Sequence, residues 1–352
     1  MYKRVLAPVI FAAITQVAVA QSNVTVYGVV DAGISYKNDG NPAGSTWGVE
    51  SGQQSGSRIG FKGREELGNG TFATFTLENG FNTDTGTFTQ SNSTTSRLFG
   101  RQAWLGLEGN FGKIRLGRQQ TELYYALDAV DPFHIGLAGN AQRVFGYGTY
   151  GSDPLARSDN TVSYTSPTVK GFTASASYGF GETAGDTSAN RNVGLGASYV
   201  QGPMNVQFAY HKANTVTGPT SLGGVTGDER AAFIGATYDF GVAKAHAAYA
   251  DNKLPTVNGD GKDRNYLLGV SAPAGAFGNV MVSWARNEVR DISSGNSDQY
   301  AIGYTYALSK RTDLYTSYSY LKNEDGVALA TYNDSVHGAD VKLFNVGMRH
   351  TF

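Results

Sequence analysis

Hydrophobic and polar residues alternate along most of this chain. In "TFATFTLENGFN", Phe72, Thr74, Thr76 and Glu78 oppose Ala73, Phe75 and Leu77. A period of two places successive side chains on opposite faces of a strand. The same pattern runs through "NVQFAYHKANT", "VMVSWARNEV", "QYAIGYTYALS", "DLYTSYSYLKNE" and "VKLFNVGMRHTF". In "VTVYGVVDAGISY" the apolar positions Val24, Val26, Val29 and Ile34 imply a phase change near Gly28. Each run is about the ten residues that a tilted strand needs to cross a bilayer. Beyond the N-terminal segment, only Thr121 to Ala129 suggests a helix.

The connections carry a second signal. Short ones fall at Gly68-Asn69-Gly70, Asn110-Phe111-Gly112, Lys170-Gly171, Gln201-Gly202-Pro203, Phe240-Gly241, Gly275 to Gly278 and Ser309 to Arg311. Long polar ones alternate with them, including Asn38 to Gly56, Thr121 to Ser158 and Leu254 to Lys262. Seven short and eight long connections join sixteen strands. A meander whose long loops all emerge on one side has this order, whereas a soluble sandwich or propeller does not sort its loops this way. The expected fold is all-β, a closed antiparallel transmembrane barrel of sixteen strands.

Composition agrees with that reading. Forty-six glycines, many tyrosines and phenylalanines and no cysteine accompany a net charge of -1. The balance gives no basic surface for nucleic acid, and the missing thiols exclude a disulfide scaffold. The start "MYKRVLAPVIFAAITQVAVAQ" has basic Lys3 and Arg4, an apolar middle and the small-residue motif Ala18-Val19-Ala20. It reads as a signal peptide over 1–20, with a barrel domain over 21–352. No later run of apolar residues reaches the length of a membrane helix, so a membrane role requires a closed barrel.

One stretch asks where its charge points. In "SRIGFKGREELGNG", Arg58, Lys62 and Arg64 share a face with Gly60 and Glu66, opposite Ile59, Phe61 and Leu67. Lys113 and Arg115 likewise share a face in "KIRLGRQ". Inside a wide barrel such faces meet confined water, so these residues are candidate lining charges, with Arg64 nearer the rim. Aromatic girdle candidates are Trp104, Tyr238, Phe240, Tyr304, Tyr306, Phe344 and Phe352.

Together with "RQAWLGLEGNFGKIRLGRQ" and the ending "FNVGMRHTF", these segments resemble the general diffusion porins of Gram-negative outer membranes, nearest their betaproteobacterial branch. The resemblance implies a homotrimer whose barrels each fold a third external loop inward, here Thr121 to Leu155. It implies that Arg58, Lys62, Arg101 and Arg157 line the constriction wall and that Arg118 contacts a neighbouring subunit. The enteric Pro-Glu-Phe-Gly-Gly stretch is replaced by "DAVDPFHIGLAGN", which leaves Glu122, Asp128, Asp131 and Asp153 as candidate loop acids. Phe352 resembles the terminal signal read by the barrel assembly machinery. Outer-membrane lipid and lipopolysaccharide, ions and small hydrophilic solutes complete the implied partners.

The expected function is passive diffusion of ions and small hydrophilic solutes, with mild anion preference from the basic wall. A substrate-specific channel or an adhesin barrel is the alternative. Chemistry has little support: His134, His211, His246, His337 and His350 lack metal spacing, and there is no Gly-x-Ser-x-Gly elbow. "NGDGKD" lacks the carboxylate spacing and closing glutamate of a calcium loop. Neither an enzymatic activity nor a cofactor is expected.

Overall fold

The computed structural model describes residues 23–90, 96–146, 155–217, 226–256, 259–290, 293–330 and 336–352. The proposed signal peptide, residues 1–20, lies outside them. Strands are β1 (Asn23–Asn38), β2 (Thr46–Ser51), β3 (Arg58–Gly68), β4 (Thr71–Gly80), β5 (Gln102–Gly109), β6 (Gly112–Gln120), β7 (Arg157–Thr165), β8 (Phe172–Gly179) and β9 (Asn192–Gln201). They continue as β10 (Met204–Thr217), β11 (Thr226–Asp239), β12 (Lys244–Thr256), β13 (Gly259–Ala274), β14 (Gly278–Val289), β15 (Asn296–Ala307), β16 (Thr312–Asn323) and β17 (Val341–Thr351). Two short helices, α1 (Glu122–Asp128) and α2 (Gln142–Phe145), lie between β6 and β7.

Apart from β2 and β3, which are not paired with each other, each strand pairs antiparallel with its sequence neighbours, and β1 pairs with β17 to close the sheet. β2 and β3 share one edge of β1: β3 meets Asn23 to Val29, and β2 meets Ala32 to Lys37. They form one wall strand interrupted at 52–57, so the barrel has sixteen strands. Closure joins the first and last strands, the condition for a sheet to sit in lipid; β2, toward the long-loop end, pairs with β1 alone. No helix among the described residues is long and apolar enough to cross a membrane.

The two faces follow the alternation. Val26, Ile59, Phe61, Leu105, Leu116, Leu268, Val282 and Ile302 are exposed on the outside. Asn252, Asn265, Asn287, Gln299, Ser317 and Asn345 are buried on the inside. This is the inversion of a soluble core that a membrane barrel requires.

Three expectations change. The stretch Asn38 to Gly56, expected to be a loop, contains β2, whose Trp47 ring meets Tyr36 of β1 at a tilt, centroids 5.1 Å apart. Leu254 to Lys262 is a hairpin end: β12 and β13 run on until only 257–258 separate them, with Leu254 opposite Gly261. In both, polarity marks strand that rises beyond the apolar band, and not irregular chain. The apparent phase change near Gly28 is absent. Val24, Val26, Val30 and Ile34 share the exposed face while Val29 turns inward. Gly28 has no side chain, and the Phe352 ring covers its place while the two residues exchange backbone hydrogen bonds of 3.0 and 3.1 Å.

The short turn in "ELGNGT" has a conformational cause. Gly68, Asn69 and Gly70 all have positive φ (94°, 53° and 71°), which glycine and asparagine tolerate. The register shifts between Glu66 and Gly68, leaving Leu67 as the extra residue of a bulge.

Candidate functional site: the narrowed interior

Thr121 opens the connection between β6 and β7 by capping α1: its side chain accepts from the Tyr124 amide at 3.2 Å. Leu123, Ala126 and Leu127, at helical spacing, form the buried stripe of α1. They join Val130, Val144 and Phe145 in one apolar cluster with wall residues including Ala209, Phe233, Leu267 and Leu321. Those residues belong to the face opposite the exposed one, which in a closed barrel is the interior.

Polar wall groups bind the segment's backbone. Asn252 Nδ2 donates to the Phe145 carbonyl at 3.1 Å, and Gln299 Nε2 to Gly139 at 3.3 Å. The Ala138 amide donates to Ser317 Oγ at 2.9 Å, and His246 Nδ1 lies 2.8 Å from the Val130 carbonyl. The tip reaches the interruption in the second wall strand, where the Leu137 amide donates to the Gln53 carbonyl. That interruption is itself held by Asp31. Its carboxylate accepts from the amides of Gln54 and Ser55 at 2.9 and 2.7 Å and from the Tyr315 hydroxyl at 2.7 Å.

The inner face of β3 to β6 carries several cations. Register puts Lys62 beside Thr76 and, across β4, Trp104; Gly60 lies beside Glu78, and Arg64 beside Thr74. Glu78 gathers the cations. Its Oε1 accepts from Arg101 Nε at 2.7 Å, its Oε2 accepts from the Tyr27 hydroxyl at 2.8 Å, and Arg58 Nε lies 4.0 Å away. Lys62 Nζ lies 5.1 Å from the Tyr27 ring centroid, Arg64 sits 3.2 Å over Phe72, and Arg115 sits 4.4 Å over Trp104. These rings hold the cations by their negative faces. Trp104, expected in an outer girdle, is therefore an inner-wall residue; the parity of β5 puts Leu105 and Leu107 outside instead.

The remaining candidates separate. Arg157 is buried, its guanidinium 5.5 Å from the Tyr124 ring on α1. Glu122 turns to the wall and accepts from Ser177 Oγ at 2.9 Å. Asp128 is partly exposed and within electrostatic reach of Arg58 and His134. Asp153 lies outside the described residues. Arg118 is on the outer side of the sheet beside Ala103, donating to Asp159 and to the Gly100 carbonyl at 2.7 Å each.

Asp131 is fully buried inside the segment and faces no open water. It accepts from the amides of Phe133, Ile135 and Ala141 at 3.0–3.1 Å, tying the turn before α2 into a knot. Burial pushes its carboxyl up to about 6 against those three donors. A raised acid stabilises the folded segment fully below its unfolded pKa near 3.8, and that contribution is lost as pH rises through 6. Open-channel current noise from this segment is accordingly expected to fall as pH is lowered from 7 to 4. Noise that rises over that interval would contradict the assignment.

Glu78 and Asp31 were missed as site residues. The pattern of β4 did place Glu78 on the face with Thr74 and Thr76, but nothing local says that this face meets Arg58 and Arg101. No group of three or more potential metal ligands occurs among the described residues.

A closed sixteen-strand wall, apolar outside and polar and charged inside, with a peptide segment along its bore, defines a membrane pore. The sequence matches the Gram-negative porin family over residues 6–326. It is 33% identical over 364 residues to outer membrane porin protein 32 of Delftia acidovorans, covering 100% of both chains. It is 32% identical over 404 residues to an outer membrane porin protein of Bordetella pertussis, again covering 100% of both. Among solved structures, the anion-selective porin from Comamonas acidovorans superposes with a TM-score of 0.80 at 32% identity, over 94% of this chain and 100% of that one. The chain belongs to the Gram-negative porin family. It is an outer-membrane porin, a family that is not enzymatic.

Proposed function

We propose that this porin is a trimeric general diffusion pore with a mild anion preference, set where the 121–155 segment narrows the bore against Arg58, Lys62 and Arg101. The observation that carries this is the charge count at the wall. Arg58 and Arg101 flank one carboxylate, Glu78, Lys62 stands on the same inner face of β3 beside Thr76, and the facing segment offers Asp128 within electrostatic reach of Arg58. Low-dielectric walls on both sides focus that excess into the confined water, where screening is weaker than on an open surface. Small anions are favoured on entry, while the width of the bore leaves neutral hydrophilic solutes free to pass. A solved relative titled an anion-selective porin supports the sign. A Vibrio cholerae outer-membrane protein of the same fold, solved in a trimer form, supports the assembly, with Arg118 on the outer face at the proposed subunit contact.

Reversal potentials across a planar bilayer in a salt gradient test the sign. Wild type is expected to favour anions, and Arg58→Gln with Lys62→Gln to move the potential toward zero. Cation selectivity in the wild type, or an unmoved potential in the double variant, would refute the basic constriction. Three equal closing steps in single-channel records are expected for the trimer, and flux linear in solute concentration for a general pore.

A further inference from the structure

The charge around Glu78 is partly cancelled, because Arg58 and Arg101 share its carboxylate. One cation nearer the short turns has no such partner. Arg115 of β6 stands opposite Gly106 of β5, and a Cβ added at Gly106 would lie 3.2 Å from Arg115 Cγ, so the arginine stem runs over the bare glycine. Its guanidinium lies over the Trp104 ring, 4.4 Å from the centroid. That indole is fixed in turn, its N–H donating to Gln102 Oε1 at 3.0 Å. The neighbouring acid, Glu108, is engaged by Lys113 at 3.5 Å, and Arg115 forms no ion pair among the described residues.

The bore-lining segment meets this cation. Tyr125 of α1 is exposed, and its hydroxyl stands in polar contact with the Arg115 side chain, with Glu78 and Tyr124 in electrostatic reach of the same hydroxyl. A guanidinium can only donate, so the tyrosine oxygen accepts from it and the phenolic O–H stays available as a donor. Side by side, that O–H and the remaining N–H groups of Arg115 make a donor set with no carboxylate in ion-pair contact among the described residues.

We propose that Arg115 and Tyr125 form a carboxylate subsite of the bore, in series with the Glu78 cluster, through which the pore favours small organic carboxylates over halides of the same charge. The inference deepens the anion preference proposed above and rests on the bore-lining placement of α1. Net positive charge attracts every small anion alike. Discrimination between anions needs geometry. A planar guanidinium fork matches the two oxygens of a carboxylate, whereas a halide is a single point that leaves the second donor unused. Stacking on Trp104 holds the guanidinium plane and leaves its N–H edge free, so little rotamer freedom is lost when a solute arrives. Exposure of Tyr125 keeps the contact wet, and weak binding of this kind lets the solute leave again.

The test measures bi-ionic reversal potentials, potassium acetate against potassium chloride, for wild type, Arg115→Lys, Tyr125→Phe and Arg58→Gln/Lys62→Gln. Heat-modifiability on gels first checks that each variant has folded into the barrel. In wild type the acetate-to-chloride permeability ratio is expected to exceed the ratio of the two ions' mobilities in water; a ratio at or below that value would overturn the proposal. Arg115→Lys keeps the charge but loses the fork and the ring stack. Its permeability ratio should fall about threefold, while the reversal potential in a potassium chloride gradient stays that of wild type. An unchanged ratio in this variant would overturn the proposal and leave charge alone as the determinant. Tyr125→Phe should lower the ratio about twofold, and an unchanged ratio would remove Tyr125 from the subsite. Arg58→Gln/Lys62→Gln is expected to move the potential in the chloride gradient and to leave the acetate-to-chloride ratio above that of the mobilities. The two readings therefore fail separately: cation preference in the chloride gradient refutes the basic constriction, whereas the ratio between two anions tests Arg115.

Discussion

Replacing Glu78 by Gln is expected to shift the reversal potential strongly toward the anion side and to destabilise the barrel by about 3 kcal/mol, the lower end of the cost of breaking a buried ion pair. Glu78 is buried and receives Arg101 and Tyr27 directly, with Arg58 at 4.0 Å. The amide retains an acceptor for one donor but removes the carboxylate that Arg101 contacts and Arg58 approaches. Two arginines then repel each other across a short gap, and their unscreened excess faces the bore. The potential shift should be larger at 0.1 M salt than at 1 M, where the Debye length contracts from about 10 Å to about 3 Å. Stability is read from urea titration of the folded protein in detergent. An unchanged reversal potential, or a shift toward cations, would remove Glu78 from the selectivity site.

Replacing Asp131 by Ala is expected to loosen the bore-lining segment while leaving the barrel folded. Three amides, the buried ones of Phe133 and Ala141 and the half-buried one of Ile135, lose their acceptor at once. Each unsatisfied buried donor costs about 1–3 kcal/mol, so the knot before α2 opens and the chain between Val130 and Phe145 loses its fixed path. Strand pairing involves none of these groups, so heat-modifiability on gels should remain that of wild type. Single-channel records should show a larger and noisier open conductance, and a protease added from the long-loop side should cut within 121–155. Current as quiet as wild type would mean that the wall contacts of Asn252, Gln299 and Ser317 hold the segment alone.

These two residues illustrate what could be read in advance. Arg58 and Lys62 were legible because "SRIGFKGREELGNG" states its own parity, and a basic face opposite Ile59 and Phe61 must point toward water. Glu78 has the same local clarity on its own strand, yet its importance depends on β3 and β5 flanking β4 in one particular register. Trp104 was placed on the wrong face because an aromatic near a strand end suits either a lipid interface or an inner cation, and only its neighbours Thr76 and Gly117 decide which. The four loop acids were indistinguishable by type. Folding sent Glu122 to Ser177, enclosed Asp131 in backbone amides and left Asp128 near Arg58.

The class of protein was therefore written locally. Alternation, strand lengths near ten residues, turns such as Gly68-Asn69-Gly70 and the sorting of short and long connections all act within a strand or between adjacent strands. They suffice for a membrane barrel with a wet interior, because each residue's face follows from its parity alone. The charge relationships arose at longer range. The Glu78 cluster exists because neighbouring strands settled at one offset, and a shift of one residue would have turned it to the other face. The path of residues 121–146 was set farther away still, by side chains on strands from β10 to β16 that its own sequence never mentions.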